Sequence, residues 1–196
     1  MQQTIYNHVG GNMKNEPYRK MIIFQTERLI IKNLEITDKK YFAELFTDQK
    51  ILKAIPQKAF TESQITDRFN RNLNLELSNL NNRKCTCGIF EKGNPEMIGL
   101  SMFLINENNG KELGYRFREY YWGKGYGTET TKGMLEYYFT VLKTEKVTAD
   151  VNIENIASVK ILNKFMKPVM DFFNERDNCT DRRFELKKNN WLQHRV

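Results

Sequence analysis

The sequence predicts a mixed α/β fold, and three observations lead to that prediction. The chain has 196 residues, of which 40% are hydrophobic and 28% charged, an ordinary balance for one globular domain. Segments with helical spacing and segments typical of strands both occur along it. They run in the order strand, helix, helix, three strands, helix, strand, helix, strand, strand. Because this order lacks the regular alternation of a Rossmann series, we expect a mixed α/β layer.

The N-terminal half is predicted to contain a tail, one strand and two helices. Residues 1–20 have no sustained period and are interpreted as a polar N-terminal tail, which leaves one domain over residues 21–196. "IIFQTERLIIKNL" is typical of a strand, and "KKYFAELFTDQKILKAI" of a helix capped by Thr37 or Asp38. Thr61 and Gln64 fit a capping box before a second helix. Its apolar stripe consists of Ile65, Phe69, Leu73, Leu77 and Leu80.

The C-terminal half begins with three predicted strands, "KCTCGIF", "PEMIGLSMFLI" and "KELGYRFRE". Short turns, "EKGN" and "ENNG", separate them, which indicates an antiparallel meander. A glycine-rich stretch and a third helix follow. "EKVTADVNI" then predicts a strand, "NIASVKILNKF" a fourth helix, and "PVMDFFN" with "RRFELKK" a closing hairpin.

Charge and cysteine content exclude several classes of protein. A net charge of +7 suits an anionic ligand, but the basic residues are scattered, so a nucleic-acid partner is not expected. Three cysteines and two histidines make neither a disulfide framework nor good zinc spacing, so we expect reduced thiols, no metal and a cytoplasmic protein. No apolar run is long enough to span a bilayer, and the first residues lack a signal-peptide core.

The stretch "YYWGKGYGTETTKG" places Gly123, Gly125 and Gly127 on alternate positions at the start of the third helix. Glycine permits positive φ and close approach of a ligand, and the first turn of a helix offers unpaired N–H groups. The stretch therefore predicts a site for a phosphate or pyrophosphate; the alternative is a tight turn. A Walker loop is excluded because Lys124 precedes Gly125. A dinucleotide fingerprint is excluded because Thr128 follows G-x-G-x-G.

In its glycine stretch and in the order of elements around it, the sequence resembles the GNAT acyl-CoA N-acyltransferases. The family's central motif, Arg/Gln-x-x-Gly-x-Gly/Ala, corresponds to "WGKGYG", in which Trp122 replaces Arg or Gln. This variant is typical of the ribosomal-protein N-terminal acetyltransferase branch. "TERLIIKNL", "ELGYRF" and Asn155-x-x-Ser158 also match, and the resemblance spans about residues 24–191.

The resemblance implies a V-splayed, mostly antiparallel sheet flanked by about four helices, and a site for acetyl-CoA. The strand ending at Phe117 and Arg118 would pair with the pantetheine arm and diverge from the Val147 strand, and Asn155 would contact the pantetheine from the far side. The coenzyme A pyrophosphate would be held by the backbone amides of Trp122, Gly123, Lys124, Gly125, Tyr126, Gly127 and Thr128.

The resemblance also implies that an amine attacks the thioester directly, in a ternary complex. Glu112 is the candidate base; the alternative is an exposed edge charge. Ser158 is the candidate partner of the leaving thiolate; the alternative is a helix N-terminal cap. Many family members place a Tyr where this chain has Leu162. No covalent intermediate is needed, so Cys85 and Cys87 are not nucleophile candidates.

The acceptor amine stays open at this point. The branch acts on protein N-termini, polyamines, amino acids and antibiotics, and the positive net charge disfavours a polycation. Arg116 and Arg118 share one face of their strand and could meet phosphate, an acidic substrate or only water. A non-catalytic module that binds coenzyme A for sensing or assembly is the alternative function. We expect a monomer or a homodimer and no membrane partner.

Overall fold

The computed structural model describes residues 21–73 and 75–193. The strands are β1 (Ile22–Gln25), β2 (Leu29–Lys32), β3 (Cys85–Glu91), β4 (Met97–Ile105), β5 (Lys111–Phe117), β6 (Lys146–Asn152), β7 (Lys167–Asn174) and β8 (Cys179–Lys187). The helices are α1 (Lys39–Thr47), α2 (Gln49–Ala54), α3 (Glu62–Leu73), α4 (Asn79–Asn82), α5 (Tyr126–Thr140), α6 (Ile156–Leu162) and α7 (Lys188–Gln193).

One eight-stranded sheet in the order β1-β2-β3-β4-β5-β6-β8-β7 organises the fold. Its neighbouring strands are antiparallel except β5 and β6, which pair in parallel at only two positions, Lys111 with Val147 and Glu112 with Thr148. On its other side, β5 pairs with β4 over its whole length, 111–117. Beyond Glu112 the two parallel strands therefore diverge, which confirms the mixed fold class and the V-splayed sheet.

Helices cover both faces of the sheet. Residues of α5, α6 and α7 join the larger apolar cluster with Leu113 and Phe117 of β5, while α1, α2 and α3 contribute to a second cluster around Phe42 and Phe46. Side chains alternate across a strand. Consequently Tyr115 packs toward the larger cluster, and Arg116 lies on the opposite face over the Phe46 ring.

The first strand and the first helix of the sequence prediction are each divided in two. The segment 22–32 forms a hairpin, because Thr26 accepts the Leu29 N–H at the turn between β1 and β2. Asp48 is extended and its carboxylate accepts the N–H groups of Lys50 and Ile51, so a new helix begins after it. The Asp38 carboxylate accepts the Glu35 N–H rather than capping α1.

The second predicted helix is shorter than expected, although its start is confirmed. Thr61 and Gln64 exchange the two hydrogen bonds of a capping box, 2.9 Å and 3.3 Å long. However, α3 ends at Leu73, and the last residue of the expected stripe, Leu80, belongs to α4. The described chain therefore has seven helices, several of them short, where about four were expected. The predicted tail, 1–20, lies outside the described residues.

Candidate functional site

The glycine stretch forms a turn that leads from β5 directly into α5. A 3-10 turn over Glu119–Tyr121 follows the strand, and Trp122 is extended. Gly123 and Gly125 have φ values of 72° and 82°, a conformation that disfavours residues with a side chain. Gly125 is the N-cap residue of α5, which begins at Tyr126, so Gly127 lies in its first turn.

The turn leaves a run of backbone donors without partners. Within the described part of the chain, the N–H groups of residues 123–128 donate no hydrogen bond, whereas the next one, on Glu129, bonds to the Gly125 carbonyl. These donors lie at the N-terminus of a 15-residue helix, where the helix dipole is positive. The arrangement suits an anion with several acceptor oxygens, such as a pyrophosphate.

An ion pair between Arg28 and Glu129 holds the loop from the side of β1 and β2. The Arg28 guanidinium donates to the Lys124 carbonyl at 3.0 Å and to the Glu129 carboxylate at 2.7 Å. The Thr26 hydroxyl also donates to Glu129. Burial raises the pKa of Glu129, but the hydrogen bonds from Thr26 and Arg28 outweigh it and hold the pKa below its usual range. The sequence analysis missed this pair, whose members are 101 residues apart.

Of the loop side chains, Tyr126 is engaged within the chain and Lys124 is exposed. Tyr126 is buried, and its hydroxyl donates to the Glu91 carboxylate. Lys124 is exposed, with its ammonium 4.1 Å from the centre of the Tyr120 ring, and it forms no ion pair with a described residue. Lys124 is therefore the loop cation available to a phosphate.

Gly127 has a packing role as well. A Cβ on this residue would lie 2.8 Å from Ile161 Cδ1 and 3.4 Å from the Tyr115 ring. The absence of a side chain lets α5 approach both α6 and β5 at the point where the sheet opens.

The end of β5 presents main-chain groups to the opening between β5 and β6. The Arg118 N–H donates to the Ile98 carbonyl on the β4 side. Because successive residues of a strand point their main-chain groups to opposite sides, those of Tyr115 and Phe117 face away from β4. The Phe117 carbonyl accepts the Trp122 indole N–H at 2.9 Å.

The donors of Arg118 are engaged within the chain. Its guanidinium bonds to Glu44 at 2.8 Å and to Glu96 at 3.0 Å, and it lies over the Tyr41 ring. Its main-chain N–H is bonded to the Ile98 carbonyl, so Arg118 has no free main-chain donor for a ligand. Main-chain pairing at this strand therefore falls to Phe117 and to Tyr115, which the sequence analysis had not assigned to it.

A cleft of about 1290 Å³ adjoins the same opening. Its walls come from β4, β5, β6, α6, the β7–β8 hairpin and the segment 54–60. Glu112, Asn155 and Ser158 all line it, so three predicted site residues from separate elements meet in one cavity.

Glu112 is half-buried on a central strand, which rules out the alternative of an exposed edge charge. Burial raises its pKa to about 7, with a further contribution from the Asp150 carboxylate. Its carboxylate forms no hydrogen bond or ion pair with the rest of the described chain. A carboxylate with a pKa near neutrality can accept and release a proton at physiological pH.

Asn155 is the N-cap of α6, since its side-chain oxygen accepts the Ser158 N–H at 3.1 Å. The hydroxyl of Ser158 takes no part in this cap, so the alternative role of Ser158 as a cap is wrong. The Tyr115 hydroxyl is buried near Ser158 and Thr131; burial raises the pKa of Tyr115, and these two hydroxyls oppose the rise. The phenol of Tyr115 therefore approaches α6 from β5, whereas Leu162 of α6 is buried in the core.

Two of the thiols lie in the core, and neither a metal-binding group nor a membrane-spanning helix occurs among the described residues. Cys85 and Cys87 are buried free thiols, and burial raises the pKa of both. Among residues 21–73 and 75–193, no three His, Cys, Asp or Glu side chains are grouped so that they could hold a metal ion. In the same part of the chain, no helix combines the length and apolar character of a membrane span.

An open V in a mixed sheet lies beside a turn with unpaired amides at the start of a helix, an arrangement that suits a phosphorylated, extended ligand. A family model described as an acetyltransferase (GNAT) domain matches residues 28–165 of the chain. A Bacillus licheniformis protein named uncharacterized N-acetyltransferase p20 is 33% identical over 141 residues, which are 70% of this chain and 78% of that protein. The chain belongs to the GNAT acetyltransferase family.

Solved structures show the same fold. Spermidine N-acetyltransferase from Vibrio cholerae, in complex with CoA and spermine, has a TM-score of 0.70 at 18% identity and aligns over 84% of this chain and 98% of that one. A ribosomal L7/L12 alpha-N-protein acetyltransferase in complex with coenzyme A has a TM-score of 0.69 at 14% identity, over 86% and 99% of the two chains.

Proposed function

We propose that the chain transfers an acetyl group from acetyl-CoA to a primary amine, which attacks the thioester directly in a ternary complex. One observation carries this proposal. The opening between β5 and β6 lies beside the unpaired amides of residues 123–128 and also borders the cleft that contains Glu112. A ligand with a phosphorylated end and a reactive end fits such a site.

The residues present suit acetyl-CoA as the co-substrate. The loop amides and Lys124 would bind the pyrophosphate, because N–H groups at a helix N-terminus and a free ammonium both favour phosphate oxygens. The main-chain groups of Tyr115 and the N–H of Phe117 would pair with the amides of the pantetheine arm, since the Phe117 carbonyl already accepts the Trp122 indole N–H. The Asn155 oxygen is used by the cap of α6, so its NH₂ group remains for a contact from the other side.

The proposed reaction needs one base and one acid. Glu112, directly or through a water molecule, takes a proton from the acceptor ammonium, and the free amine attacks the thioester carbonyl. A C–N bond forms and the C–S bond breaks. Ser158 gives a proton to the departing thiolate and regains one from the acetylated nitrogen, which loses its second proton as the amide forms. The Tyr115 phenol lies near the Ser158 hydroxyl.

The acceptor is a small-molecule amine or a protein N-terminus. Two relatives with this fold are named for spermidine and for a ribosomal protein, which supports considering both kinds of acceptor. A non-catalytic module that binds coenzyme A remains the second candidate, and the burial of Leu162 at a position where many relatives carry Tyr favours it.

Two measurements on the full chain test the proposal. Calorimetry with acetyl-CoA measures binding, and release of free thiol measures acetyl transfer over a panel of amines and N-terminal peptides. Binding with turnover of at least one acceptor supports the enzyme. Binding without turnover of any acceptor supports the non-catalytic module, and no binding at millimolar acetyl-CoA would overturn both.

A further inference from the structure

The cleft contains a group of donors that the proposed chemistry does not use. Arg116 of β5, Arg68 of α3 and Gln57 of the segment between α2 and α3 all line it. We call these three residues the arginine subsite. They lie on the face of the sheet covered by α1 and α3, where Glu112 also projects.

Arg116 is the centre of the subsite. It is only 6% exposed, and its guanidinium lies 4.3 Å from the centre of the Phe46 ring. It donates to the Leu45 carbonyl at 2.8 Å and to the Gln57 side-chain oxygen at 2.9 Å. Burial and the neighbouring Arg68 lower the pKa of Arg116 to about 9, so it still carries its charge at neutral pH.

Arg68 adds a second cation without a counter-ion. Its guanidinium is 5.0 Å from the centre of the Phe46 ring and 5.6 Å from that of Phe60. It forms no ion pair within the described part of the chain. Burial lowers its pKa most, and the positive charges of Arg71 and Arg176 lower it further. Two guanidinium groups that repel each other are thus held around the same aromatic ring.

The subsite is also rich in donors that have no acceptor. The buried Nε of Arg116 and the buried Nε2 of Gln57 have no hydrogen-bond partner. Both atoms carry hydrogens and neither can accept, so a group with acceptor oxygens would satisfy them. Buried donors without partners destabilise a fold, which makes their retention informative.

Apart from Glu112, the carboxylates of the cleft have partners other than the arginine subsite. Arg183 binds Asp150 and Glu107 at 2.7 Å each, and Arg176 binds Asp177. Asp177 is close enough to raise the pKa of Arg116 slightly but makes no ion pair with it. Among the described residues of the cleft, the charges around β6 and β8 are therefore paired, whereas the guanidinium groups of Arg68 and Arg116 beside α3 have no carboxylate partner.

The spacing along β5 separates this charge from the candidate base. Glu112, Gly114 and Arg116 share one face of the strand, and the Cα atoms of the two charged residues are about 13 Å apart at roughly 3.3 Å per residue. Gly114 adds no side chain between them, but Met102 Cε and Leu104 Cδ1 of β4 lie 3.2 Å and 3.4 Å from the place that its Cβ would occupy. All five residues line the cleft, so an acceptor can lie over the two apolar side chains with one end at each charged residue.

We propose that the arginine subsite binds a carboxylate on the acceptor, so that the enzyme acetylates amines that also carry an anionic group. This inference rests on the proposed function, since it assigns the amine end of the acceptor to Glu112. A planar guanidinium pair with an amide donor matches the geometry of a carboxylate. The same unpaired positive charge repels a polyamine.

A matched series of acceptors tests the inference. The probes are ω-amino acids of four to eight carbons, the amides of the same acids, and the corresponding diamines. Calorimetry on the CoA-bound protein measures binding, and thiol release measures kcat/KM. For at least one chain length we expect the acid to be favoured over its amide by about tenfold, the value of one charged hydrogen bond. High salt should reduce this preference.

Two substitutions locate the effect. Arg68→Gln should reduce the preference for the acid over its amide to within about threefold. Arg71→Gln is the matched control, because it removes the same charge from the same helix but Arg71 does not line the cleft. Arg116→Lys, which keeps the charge but loses the planar fork, should have an intermediate effect.

The outcomes separate this inference from the proposed function. If acids bind and react no better than their amides at every length, or if diamines are preferred, the arginine subsite is not an acceptor site, even with acetyl-CoA turnover intact. If Arg68→Gln and Arg71→Gln lose the preference for the acid equally, the inference is also overturned, because the preference then comes from long-range charge. Failure of acetyl-CoA itself to bind would instead overturn the proposed function.

Discussion

The indole N–H of Trp122 donates a 2.9 Å hydrogen bond to the carbonyl oxygen of Phe117, and this bond ties the glycine loop to the strand before it. Trp122 stands where the family motif has Arg or Gln. Trp122 is 41% exposed, so the residue contributes this bond more than core packing. The bond fixes the first loop residue relative to the end of β5, from which the free amides project.

Trp122→Phe should therefore weaken acetyl-CoA binding more than it destabilises the fold. The substitution keeps an aromatic ring and removes one hydrogen bond, worth about 1 kcal/mol. Calorimetry should show Kd raised about fivefold or more, while the urea midpoint moves little. An unchanged Kd would show that the loop keeps its geometry without the indole.

Gly125→Glu should abolish acetyl-CoA binding. Gly125 has a φ of 82°, a Cβ would lie 3.3 Å from Arg28, and a carboxylate would occupy the position proposed for the pyrophosphate. Gly93→Glu is the matched control: Gly93 has a φ of 83° and nothing within 4 Å of its Cβ. Both variants carry similar backbone strain and the same added charge.

Comparing these two variants separates the ligand site from the backbone. Both should lose about 1 to 2 kcal/mol of unfolding free energy. Only Gly125→Glu should lose the calorimetric signal with acetyl-CoA. If Gly93→Glu lost the signal as well, the loss would reflect damage to the fold, and the assignment of the loop would lack support.

Glu112→Gln should remove an acidic limb from the pH–rate profile. Burial raises the pKa of Glu112 to about 7, and a base works only when ionised, so wild-type kcat/KM should fall as pH decreases through 7. With an acceptor amine of pKa above about 9, the limb near 7 belongs to the enzyme. The variant should lack this limb and lose roughly 100-fold in kcat. A limb that persists in Glu112→Gln would assign it to another group.

The same substitution should stabilise the protein in alkaline solution. The pKa of Glu112 is raised in the folded state, so the folded state favours its protonated form; this stabilisation is complete below about pH 4 and is lost as pH rises through 7. The substituted glutamine stays neutral, and at pH 8 Glu112→Gln should gain roughly 2 kcal/mol in urea unfolding. The gain should vanish near pH 4 and be absent in Glu175→Gln, which removes an exposed carboxylate.

Ser158→Ala should lower kcat without loosening α6. The cap of this helix uses the N–H of Ser158 and the oxygen of Asn155, and neither is removed by the substitution. A tenfold or greater decrease in kcat, with unchanged melting, would support proton transfer to the thiolate. Asn155→Ala, by contrast, should lose about 1 kcal/mol of stability with the cap. Wild-type kcat in Ser158→Ala would exclude Ser158 as the acid.

Features that depend on neighbouring residues could be predicted from the sequence alone. Glycines at a strand–helix junction, a capping box at Thr61 and turns between short strands each depend on a few neighbouring residues, and all were predicted. The division of the first helix was equally local, since Asp48 is a strong N-cap, but the apolar stripe that continues across it concealed the break.

Features that join distant segments were not predictable in the same way. Arg28 and Glu129 meet only because β1 and β2 lie beside the start of α5, and Gln57, Arg68 and Arg116 meet only in the folded cleft. The position of Glu112 on a central rather than an edge strand was open for the same reason, because strand order depends on long-range pairing.

The two-residue pairing of β5 with β6 gives this sheet an edge in its interior. Edges at the outside of a sheet, such as β1 and β7 here, offer unpaired main-chain groups to any extended chain, including another protein molecule. The interior edge lies between β5 and β6, and α5 and α6 pack on one face of the sheet beside it. It offers the hydrogen-bonding capacity of a free strand while excluding a second sheet, so a slender amide-bearing arm can bind where aggregation cannot begin.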